Sequence, residues 1–526
     1  MEPWWRGAVI YQVYPRSFRD ADGDGIGDLR GVLEKLDHIA SLGVDAVWLC
    51  PVYASPGADL GYDVSDHRAV APEFGTIADL DALVAACHAR GMRVLLDLVV
   101  GHTSEAHPWF AASRAAREGP LADRYVWAEP RADGTPPNNW LSVFGGPAWR
   151  WEPRRRQYAL HHFLPQQPAL NLADPATLDA VAGIMRFWLA RGVDGFRVDA
   201  LDFVAHDPLL RSNPAAPLHA VPAKLFGMQV HLHDMMGAGT AAVLHRLRAE
   251  ADGFEDRALL GEFSSQPGAF SRVVRATGTG LLHMAYTLAP LRGGFGLAEA
   301  RALVEAAAQP DGWPCWSFSN HDVERAATRW APGRVADARV TKLLLALLLT
   351  LRGSACLYQG EELGLPDAVL PFTALRDPFG IAHWPEFRGR DGARTPMPWQ
   401  AAARHAGFGA GTPWLPVPDA HRALAVDVQE KDPRSVLRFT RAMLAARRAT
   451  PALVAGALEP LDLPAPLLGF DRVTPHTRVR CVFNLSGGSA PVPLPLAEAT
   501  LALPHAPVPG VPEVLGPWGV GIGGVA

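Results

Sequence analysis

The strongest constraint on the fold of this chain is a repeated alternation between short apolar segments and longer segments with helical periodicity. Eight segments are predicted as strands, each followed by a helix or a long connection: AVIYQVY, DAVWL, RVLLDLVV, DGFRVD, RALLGE, LLHMAY, CWSFSN and SACLYQG. Near-continuous apolar strands separated by helices indicate a parallel sheet that is covered on both faces. Eight such units, with a long excursion after the third, favour an α/β fold of the (β/α)8 TIM barrel type over a doubly wound sheet.

Two regions break this alternation and divide the chain into three predicted domains. Residues 103–171 are rich in Pro, Trp, Arg and Gly and have no helical period, which indicates an inserted subdomain of short strands and loops. Near the end of the chain, one helix over 433–453 precedes strand-like segments with many prolines. We therefore predict three domains: a catalytic barrel at 1–102 and 172–440, the inserted subdomain at 103–171, and a C-terminal antiparallel β domain at 441–526.

Composition and charge argue against several classes of protein. The 526 residues are 48% hydrophobic and carry 49 basic against 54 acidic groups, whereas nucleic-acid-binding proteins usually have a clustered basic excess. The five cysteines are scattered without CxxC spacing, so neither a disulfide framework nor a zinc site is expected. The N-terminus lacks the features of a secretory signal, and no apolar run is long enough to span a bilayer. We expect a cytoplasmic monomer or homodimer with no nucleic-acid or membrane partner.

Acidic side chains follow several predicted strands at the end where barrel enzymes build their active sites. Asp199 ends the fourth strand and Glu262 the fifth, while Asp322 follows the seventh. Taken singly, each acid has a structural explanation as part of a buried ion pair or as a helix or loop cap. Together, these carboxylates would repel one another at one barrel mouth, which a sequence selected only for stability would avoid. We therefore interpret the three acids as a catalytic group.

The same residues suit glycoside hydrolysis with retention of anomeric configuration. In that reaction, one carboxylate attacks the anomeric carbon, and a second carboxyl about 5–5.5 Å away protonates the leaving oxygen and then deprotonates water. Period-two alternation places Arg197 on the same side of its strand as Asp199, and its positive charge would lower the pKa of the nucleophile. A third carboxylate can stabilise the oxocarbenium-like transition state.

The motifs around these acids resemble those of the α-amylase family, glycoside hydrolase family 13, and of its α-glucosidase and oligo-1,6-glucosidase group. The resemblance covers nearly all of the chain, through WWRGAVIYQVYPRSF, DLVVGHTSEAHPWF, QPALNLADP, GFRVDALDF, LGEFSS and SNHD in the expected order. It implies that Asp199 is the nucleophile, Glu262 the general acid/base and Asp322 the transition-state stabiliser. It also implies that three further residues hold the first glucose: His102, Arg197 and His321.

Two further motifs indicate at which end the substrate is cleaved: ADLGYDVSDH and GRDGARTPMPW. The resemblance implies that Asp59 and Arg390 clamp the hydroxyls of the non-reducing end, and that Tyr62 stacks on the sugar ring. Such a clamp would close the pocket and favour release of single glucose units. The residue after the nucleophile is Ala200; in this group Val there accompanies α-1,6 preference, and Ala or Thr accompanies α-1,4 preference. We therefore expect preference for α-1,4 bonds.

An acidic loop after the first strand has the spacing of a cation site. Four carboxylates and one backbone carbonyl match the start of an EF-hand-like loop, from Asp20, Asp22, Asp24, Ile26 and Asp28. The loop lacks the Glu at position 12, and its alternative interpretation is a solvated acidic turn. Because four close carboxylates need a cation, and because the resembling glucosidases bind Ca²⁺ or Mg²⁺ in this loop, we expect a structural metal ion and no organic cofactor.

The predicted reaction is hydrolysis of small α-glucosides, accompanied by transfer of glucose to sugar or alcohol acceptors, since water and alcohols can capture the same covalent intermediate. Residues 202–239, inserted after the fourth strand, are expected to line the acceptor subsites. A glucosyltransferase or isomerase of the trehalose or isomaltulose synthase type is an alternative, because it would use the same site. A catalytically silent sugar-binding relative is a second alternative, which loss of the acids would favour.

Overall fold

The computed structural model describes residues 2–217, 221–493 and 511–525 of the chain. Its centre is a parallel sheet of strands β1 to β8, at Val9–Val13, Ala46–Leu49, Arg93–Leu98, Gly195–Val198, Ala258–Phe263, Met284–Thr287, Cys315–Ser317 and Ser354–Tyr358. Strands β1 to β6 are hydrogen-bonded to one another in sequence order, and β8 lies between β1 and β7. A parallel bridge between Ala285 and Pro314 joins β6 to β7, so the predicted barrel is confirmed.

Burial of the strands on both faces explains their near-continuous apolar sequences. Every residue of the eight strands is buried except Arg93, which opens β3. One set of side chains forms a cluster in the barrel interior that includes Ile10, Trp48, Leu260 and Tyr358. The alternate side chains belong to a larger cluster with the surrounding helices. The barrel therefore has two apolar layers with the strands between them.

The helices follow the strands in the predicted order. After β1 to β4 they span Leu29–Glu34, Leu36–Leu42, Ile77–His88, Pro108–Ala115, Pro175–Leu189 and Thr240–Asp252. After β5 to β7 they span Ala269–Ala276, Ala289–Arg292, Leu297–Ala307, Ala326–Arg329 and Ala338–Thr350. After β8 they span Pro378–His383, Asp419–Arg422, Val426–Gln429, Val436–Ala449 and Pro451–Ala455. Short 3₁₀ turns lie at Pro15–Ser17, Pro72–Phe74, Leu201–Phe203, Leu225–Met228, Pro332–Arg334, Phe372–Ala374, Asp391–Ala393 and Arg404–Gly407.

The predicted single helix over 433–453 is instead two helices. Thr450 has φ −121° and ψ 97°, outside the helical region, and it separates Val436–Ala449 from Pro451–Ala455. A proline disfavours helical dihedrals in the residue before it and lacks the N–H that would continue the helix, which explains the break.

Residues 103–171 contain a three-stranded antiparallel sheet in which Gln157–Leu160 lies between Trp127–Ala128 and Trp149–Glu152. They also contain a helix, Pro108–Ala115. We did not predict this helix, because the segment shows no helical period. Its N-terminus is stabilised locally, because Pro108 occupies the first turn and the His107 ring accepts a hydrogen bond from the backbone N–H of Trp109. A separate antiparallel hairpin, Tyr53–Ala54 with Asp66–Val70, follows β2.

The C-terminal region contains a four-stranded antiparallel sheet, with neighbours in the order Ala457–Leu461, Leu467–Val473, Arg478–Asn484 and Val520–Val525. A two-stranded sheet joins Ala490–Pro491 to Val514–Leu515. Residues 494–510 of the predicted domain at 441–526 lie outside the described residues, and helix Val436–Ala449 runs across the boundary predicted at residue 440. All five cysteines are buried free thiols. Within the described residues, no helix has the length and apolar character needed to cross a membrane.

Gly195 opens β4 at a position where no side chain fits. Its φ is +155°, and a Cβ atom there would lie 1.9 Å from the carbonyl oxygen of Ala258 on β5. We expect Gly195→Ala to lower the free energy of unfolding by about 2 kcal/mol or more, because one of the two strands must shift. Gly294→Ala is the control, since its Cβ would meet nothing within 4 Å. Urea denaturation of the two variants checks the prediction, which equal stabilities would contradict.

Candidate active site

A pocket at the carboxyl ends of the barrel strands brings together most of the residues that the sequence singles out. Its lining includes eight of them: Asp59, Tyr62, His102, Asp199, Ala200, Glu262, Asp322 and Arg390. Arg197 and His321 are fully buried and contact these side chains from behind. All ten residues predicted for catalysis, sugar binding or bond preference therefore lie in one region.

The guanidinium of Arg197 contacts three carboxylates at once. Its Nη1 atom lies 2.5 Å from Asp97 Oδ1 and 2.6 Å from Asp199 Oδ1. Its Nη2 atom lies 2.5 Å from Glu262 Oε2. Because two nitrogens of one planar group hold the predicted nucleophile and the predicted acid/base, those two carboxyl groups are fixed beside each other.

One positive charge does not neutralise three carboxylates in this buried position. Burial raises the pKa of Asp97 to about 6, although Arg197 opposes the shift. Burial also raises the pKa of Asp199 well above its ordinary value, and Glu262 and Asp97 add to the shift. Arg197 does lower the pKa of Asp199, as the sequence predicts, but burial has the larger effect. Burial and the neighbouring negative charges therefore favour the protonated forms of Asp97 and Asp199.

Glu262 is oriented by two hydrogen bonds in addition to Arg197. The hydroxyl of Tyr286 donates to Oε1 at 3.0 Å, and the backbone N–H of Ala200 donates to Oε2 at 3.2 Å. Ala200 adopts a left-handed conformation, with φ +45°, which is uncommon for a residue other than glycine. Sequence reasoning missed Tyr286, and its position at the end of LLHMAY was the only available signal.

Asp322 lies in a more positive environment than Asp199. Its Oδ1 atom accepts hydrogen bonds from Arg394 at 2.9 Å and Arg390 at 3.3 Å, and its Oδ2 atom lies 3.3 Å from His321 Nε2. Burial would raise the pKa of Asp322, but His321 and the two arginines outweigh burial and lower it. Asp322 is therefore ionised. Arg394 was missed in the sequence although it follows Arg390 by four residues in GRDGARTPMPW.

Asp59 and Arg390 form a buried ion pair in the pocket wall. Arg390 Nη2 lies 2.6 Å from Asp59 Oδ1 and 2.7 Å from Asp377 Oδ1, and the two predicted clamp residues are only 4% and 7% exposed. Gln167 donates to the other carboxylate oxygen of Asp59 at 3.1 Å. The pair is therefore held in place by Gln167, which opens the motif QPALNLADP, and by Asp377, which the sequence did not indicate.

Tyr62 and His102 are held by contacts with other parts of the site. The Tyr62 ring lies parallel to the ring of His321 at 5.2 Å, and its hydroxyl donates to Asp97 at 3.2 Å. His102 Nε2 donates to the backbone carbonyl of Tyr62 at 3.0 Å. Burial lowers the pKa of His102 to about 4, so this ring is neutral at pH 7.

Five phenylalanines form an apolar part of the pocket: Phe144, Phe163, Phe203, Phe226 and Phe379. Phe144 and Phe379 stack at 4.5 Å, and Phe163 meets Phe203 edge-on at 5.1 Å. Phe203 and Phe226 come from residues 202–239, the connection expected to line acceptor subsites, of which 218–220 lie outside the described residues. Part of this connection therefore does line the pocket.

The acidic loop after β1 brings three of its four carboxylates together. Oxygens of Asp20, Asp22 and Asp28 lie within 4.8 Å of one another. Asp24 is not in this group, and its Oδ1 atom accepts a hydrogen bond from the backbone N–H of Ile26 at 2.7 Å. Burial raises the pKa of Asp28, and the charge of Asp22 adds to the shift. Clustered oxygen donors with unfavourable mutual repulsion fit a hard cation such as Ca²⁺ or Mg²⁺.

Comparison with known proteins agrees with the fold and the motifs. Residues 12–456 match the family model described as alpha amylase, catalytic domain. The chain is 49% identical to a probable alpha-glucosidase of Rhizobium meliloti over 94% of this chain and 91% of the relative. It is 35% identical to an oligo-1,6-glucosidase of Parageobacillus thermoglucosidasius over 87% of this chain and 85% of the relative.

Two solved structures have the same architecture over their whole length. The alpha-glucosyl transfer enzyme XgtA is 47% identical with a TM-score of 0.96, and each chain is covered completely. The trehalulose synthase MutB from Pseudomonas mesoacidophila MX-45 is 32% identical with a TM-score of 0.88, again with complete coverage of both chains. The chain is thus a glycoside hydrolase that belongs to the α-amylase family, glycoside hydrolase family 13, and to its group of α-glucosidases and oligo-1,6-glucosidases.

Proposed function

We propose that this enzyme is a retaining exo-α-glucosidase that releases glucose from the non-reducing end of short α-glucosides, prefers α-1,4 bonds, and transfers glucose to sugar or alcohol acceptors. The observation that carries the proposal is the shared contact of Asp199 and Glu262 with the guanidinium of Arg197. A retaining reaction needs two carboxyl groups about 5–5.5 Å apart, and one guanidinium between them supports that spacing.

In the proposed reaction, Asp199 attacks the anomeric carbon while Glu262 gives its proton to the leaving oxygen. For this step Glu262 has to carry a proton and Asp199 has to be ionised. Water or an alcohol then gives its proton to Glu262 and displaces Asp199 from the glucosyl ester. Asp322 is ionised, so its negative charge can stabilise the oxocarbenium-like transition state of both steps.

The ion pair of Asp59 with Arg390 supports cleavage at the chain end. Both side chains line the pocket, and both present charged groups that can bind the hydroxyls of a terminal glucose. A polysaccharide that continued past this pair would have to displace a buried ion pair, which is costly. We therefore infer that the pocket holds a single glucose unit on the non-reducing side of the cleaved bond.

Transfer to acceptors is supported by two similar structures. One is an alpha-glucosyl transfer enzyme and the other is a trehalulose synthase. The apolar phenylalanines of the pocket would exclude water from the acceptor side and favour such transfer.

A substrate panel tests the proposed function. The enzyme is incubated with maltose, isomaltose, sucrose and trehalose, and the products are followed by NMR, which also gives the anomeric configuration of the first glucose released. We expect α-glucose as the first product and maltose as the preferred disaccharide. β-Glucose as the first product would contradict retention, and conversion of sucrose or maltose into an isomer as the main reaction would favour the isomerase alternative.

Asp199 and Asp194 flank β4 at its two ends and form a matched pair of variants. We expect Asp199→Asn to lower kcat by about 10⁴-fold or more without loss of stability, because an amide cannot form the covalent intermediate. Asp194 is fully buried at the opposite end and contacts His88, Arg93 and Arg257, so Asp194→Asn should lower stability and leave kcat nearly unchanged. Kinetics and thermal unfolding of both variants decide the matter, and near-parental activity of Asp199→Asn would reject the nucleophile.

Ala200 offers a test of bond preference, because its side chain lines the pocket beside the predicted nucleophile. We expect Ala200→Val to raise the ratio of kcat/KM for isomaltose to that for maltose by about tenfold, since two added methyl groups reshape the acceptor side. Ala200→Thr is the control and should keep the α-1,4 preference. An unchanged ratio in Ala200→Val would show that this side chain does not set the preference.

We further propose that the loop at 20–28 binds Ca²⁺ or Mg²⁺ as a structural ion. Carboxylates of Asp20, Asp22 and Asp28 would hold it, and the ion would neutralise their mutual repulsion. If the free metal is at 100 times its dissociation constant, its removal should lower the free energy of unfolding by about 2.7 kcal/mol.

The metal proposal is checked by elemental analysis of the purified protein and by thermal unfolding with and without EDTA. We expect bound Ca²⁺ or Mg²⁺, and a lower melting temperature after chelation. Asp22→Asn should contain no bound metal, and EDTA should not change its melting temperature. Asp37→Asn removes only an exposed ion pair with Arg90, so it should bind the metal and respond to EDTA as the parent does. A protein that contains neither metal and does not respond to EDTA or to added metal would contradict the proposal.

A further inference from the structure

Gln12 lies on β1 directly behind the active site and has no role in the reaction described so far. It is completely buried. Its side-chain nitrogen Nε2 lies 2.8 Å from His321 Nδ1 and 3.2 Å from Cys50 Sγ. An amide nitrogen carries two hydrogens, so both contacts can be hydrogen bonds that the glutamine donates.

The plane of the His321 ring is fixed by two aromatic neighbours. The ring is nearly parallel to Tyr62 at 5.2 Å and to Tyr14 at 5.8 Å, with interplanar angles of 6° and 15°. Stacking holds the plane but does not select which ring nitrogen carries the proton. That choice depends on the hydrogen bonds made at the two ring nitrogens.

His321 carries a single ring proton at neutral pH. Burial lowers its pKa to about 3, so the imidazole is neutral. The titratable and charged groups that face it are Asp322, Arg394, Arg197, Arg390, Cys50, Tyr14 and Tyr62. Asp322 is the only one of these whose charge favours protonation of the ring, and the three arginines oppose it. The tautomer of this neutral ring therefore determines which side of it can donate a hydrogen bond.

We propose that Gln12 is a positioning residue that holds His321 in the tautomer with its proton on Nε2. The Gln12 amide donates to Nδ1, so Nδ1 must be the unprotonated nitrogen. The proton on Nε2 then faces Asp322 Oδ2 at 3.3 Å, on the side of the pocket. Nε2 is buried and makes no hydrogen bond within the described residues, so its N–H can serve a glucose hydroxyl only where that hydroxyl reaches it beside Asp322.

The opposite orientation of the glutamine amide conflicts with the surroundings. If the carbonyl oxygen faced Nδ1, the ring proton would reside on Nδ1, and the lone pair of Nε2 would face the ionised carboxylate of Asp322. Two acceptors at 3.3 Å repel each other. The contact between Gln12 and Cys50 is compatible with either orientation, because the thiol can donate to a carbonyl oxygen. Repulsion between Nε2 and Asp322 therefore selects the orientation in which the Gln12 nitrogen faces Nδ1.

This inference rests on the proposed function, because it assigns Gln12 a part in holding the first glucose through His321. Its direct test does not depend on turnover. Protein labelled with ¹⁵N-histidine is studied by NMR, and the His321 signals are identified by their loss in His321→Asn. In the parent protein we expect a protonated Nε2 and an unprotonated Nδ1 from pH 5 to 9. A protonated Nδ1 would overturn the proposal.

Two substitutions of Gln12 should change the protonation of His321 in different ways. In Gln12→Glu, a carboxylate faces each ring nitrogen, so we expect the pKa of His321 to rise and both nitrogens to be protonated at low pH. The extra proton is then lost as the pH rises through the new pKa. In Gln12→Met, we expect a mixture of the two neutral tautomers. A pure Nε2–H tautomer in Gln12→Met would show that Asp322 alone selects it.

Kinetics separate positioning from a general loss of structure. We expect Gln12→Met to lower kcat/KM about tenfold, which corresponds to one weakened hydrogen bond to the sugar. We also expect the pH profile of Gln12→Glu to show an additional titration. Gln429→Met is the matched control, because Gln429 is a buried glutamine that donates to the carbonyls of Leu363 and Leu424, outside the pocket. Equal kinetic effects in Gln12→Met and Gln429→Met would overturn the proposal, whereas a parent protein inactive on all α-glucosides would reject the proposed function alone.

Discussion

The candidate active site depends on the contact of one buried guanidinium, that of Arg197, with three carboxylates. Arginine remains charged at any pH that the protein meets, so it is the one cation that can compensate buried acids without losing its proton. The three carboxylates are supplied by β3, the end of β4, and β5, which are adjacent in the barrel. The barrel geometry therefore matters chiefly because it lets one side chain reach acids from three strands.

The distribution of arginines gives the aspartates of the pocket different pKa values. Asp97, Asp199 and Glu262 share one arginine, and the pKa values of the two aspartates are raised by burial. Asp322 accepts hydrogen bonds from two arginines, one of which also pairs with Asp59 and Asp377, and its pKa is lowered. Environments that separate the pKa values of neighbouring acids are a general way to obtain a proton donor and a fixed negative charge in one site. The barrel mouth thus holds two aspartates with raised pKa values and one, Asp322, with a lowered pKa.

The sequence predicted the barrel and its acids because the signals for both are local. Apolar runs mark the strands, and an acid at the end of a run marks its position at the barrel mouth. Contacts between distant segments left no such signal: Tyr286 reaches Glu262 from another strand, and Gln12 lies 309 residues from His321. The break at Thr450 was local and could have been predicted from Pro451. The predicted direction of the effect of Arg197 on the pKa of Asp199 was also right. Burial and the acids on other strands outweigh that effect, and neither can be seen from the sequence of one strand.

The two histidines of the site follow from the same balance of charge. The transition state of the proposed reaction has oxocarbenium character and is positive, so an imidazolium beside it would be unfavourable. Burial keeps both His102 and His321 neutral at pH 7, with pKa values of about 4 and about 3. A neutral imidazole can still donate one hydrogen bond, but only from the nitrogen that its surroundings select. Burial therefore keeps each ring uncharged. Whether the histidine can donate a hydrogen bond to a sugar hydroxyl then depends on the hydrogen-bond partner on the opposite side of the ring, because that partner selects the protonated nitrogen.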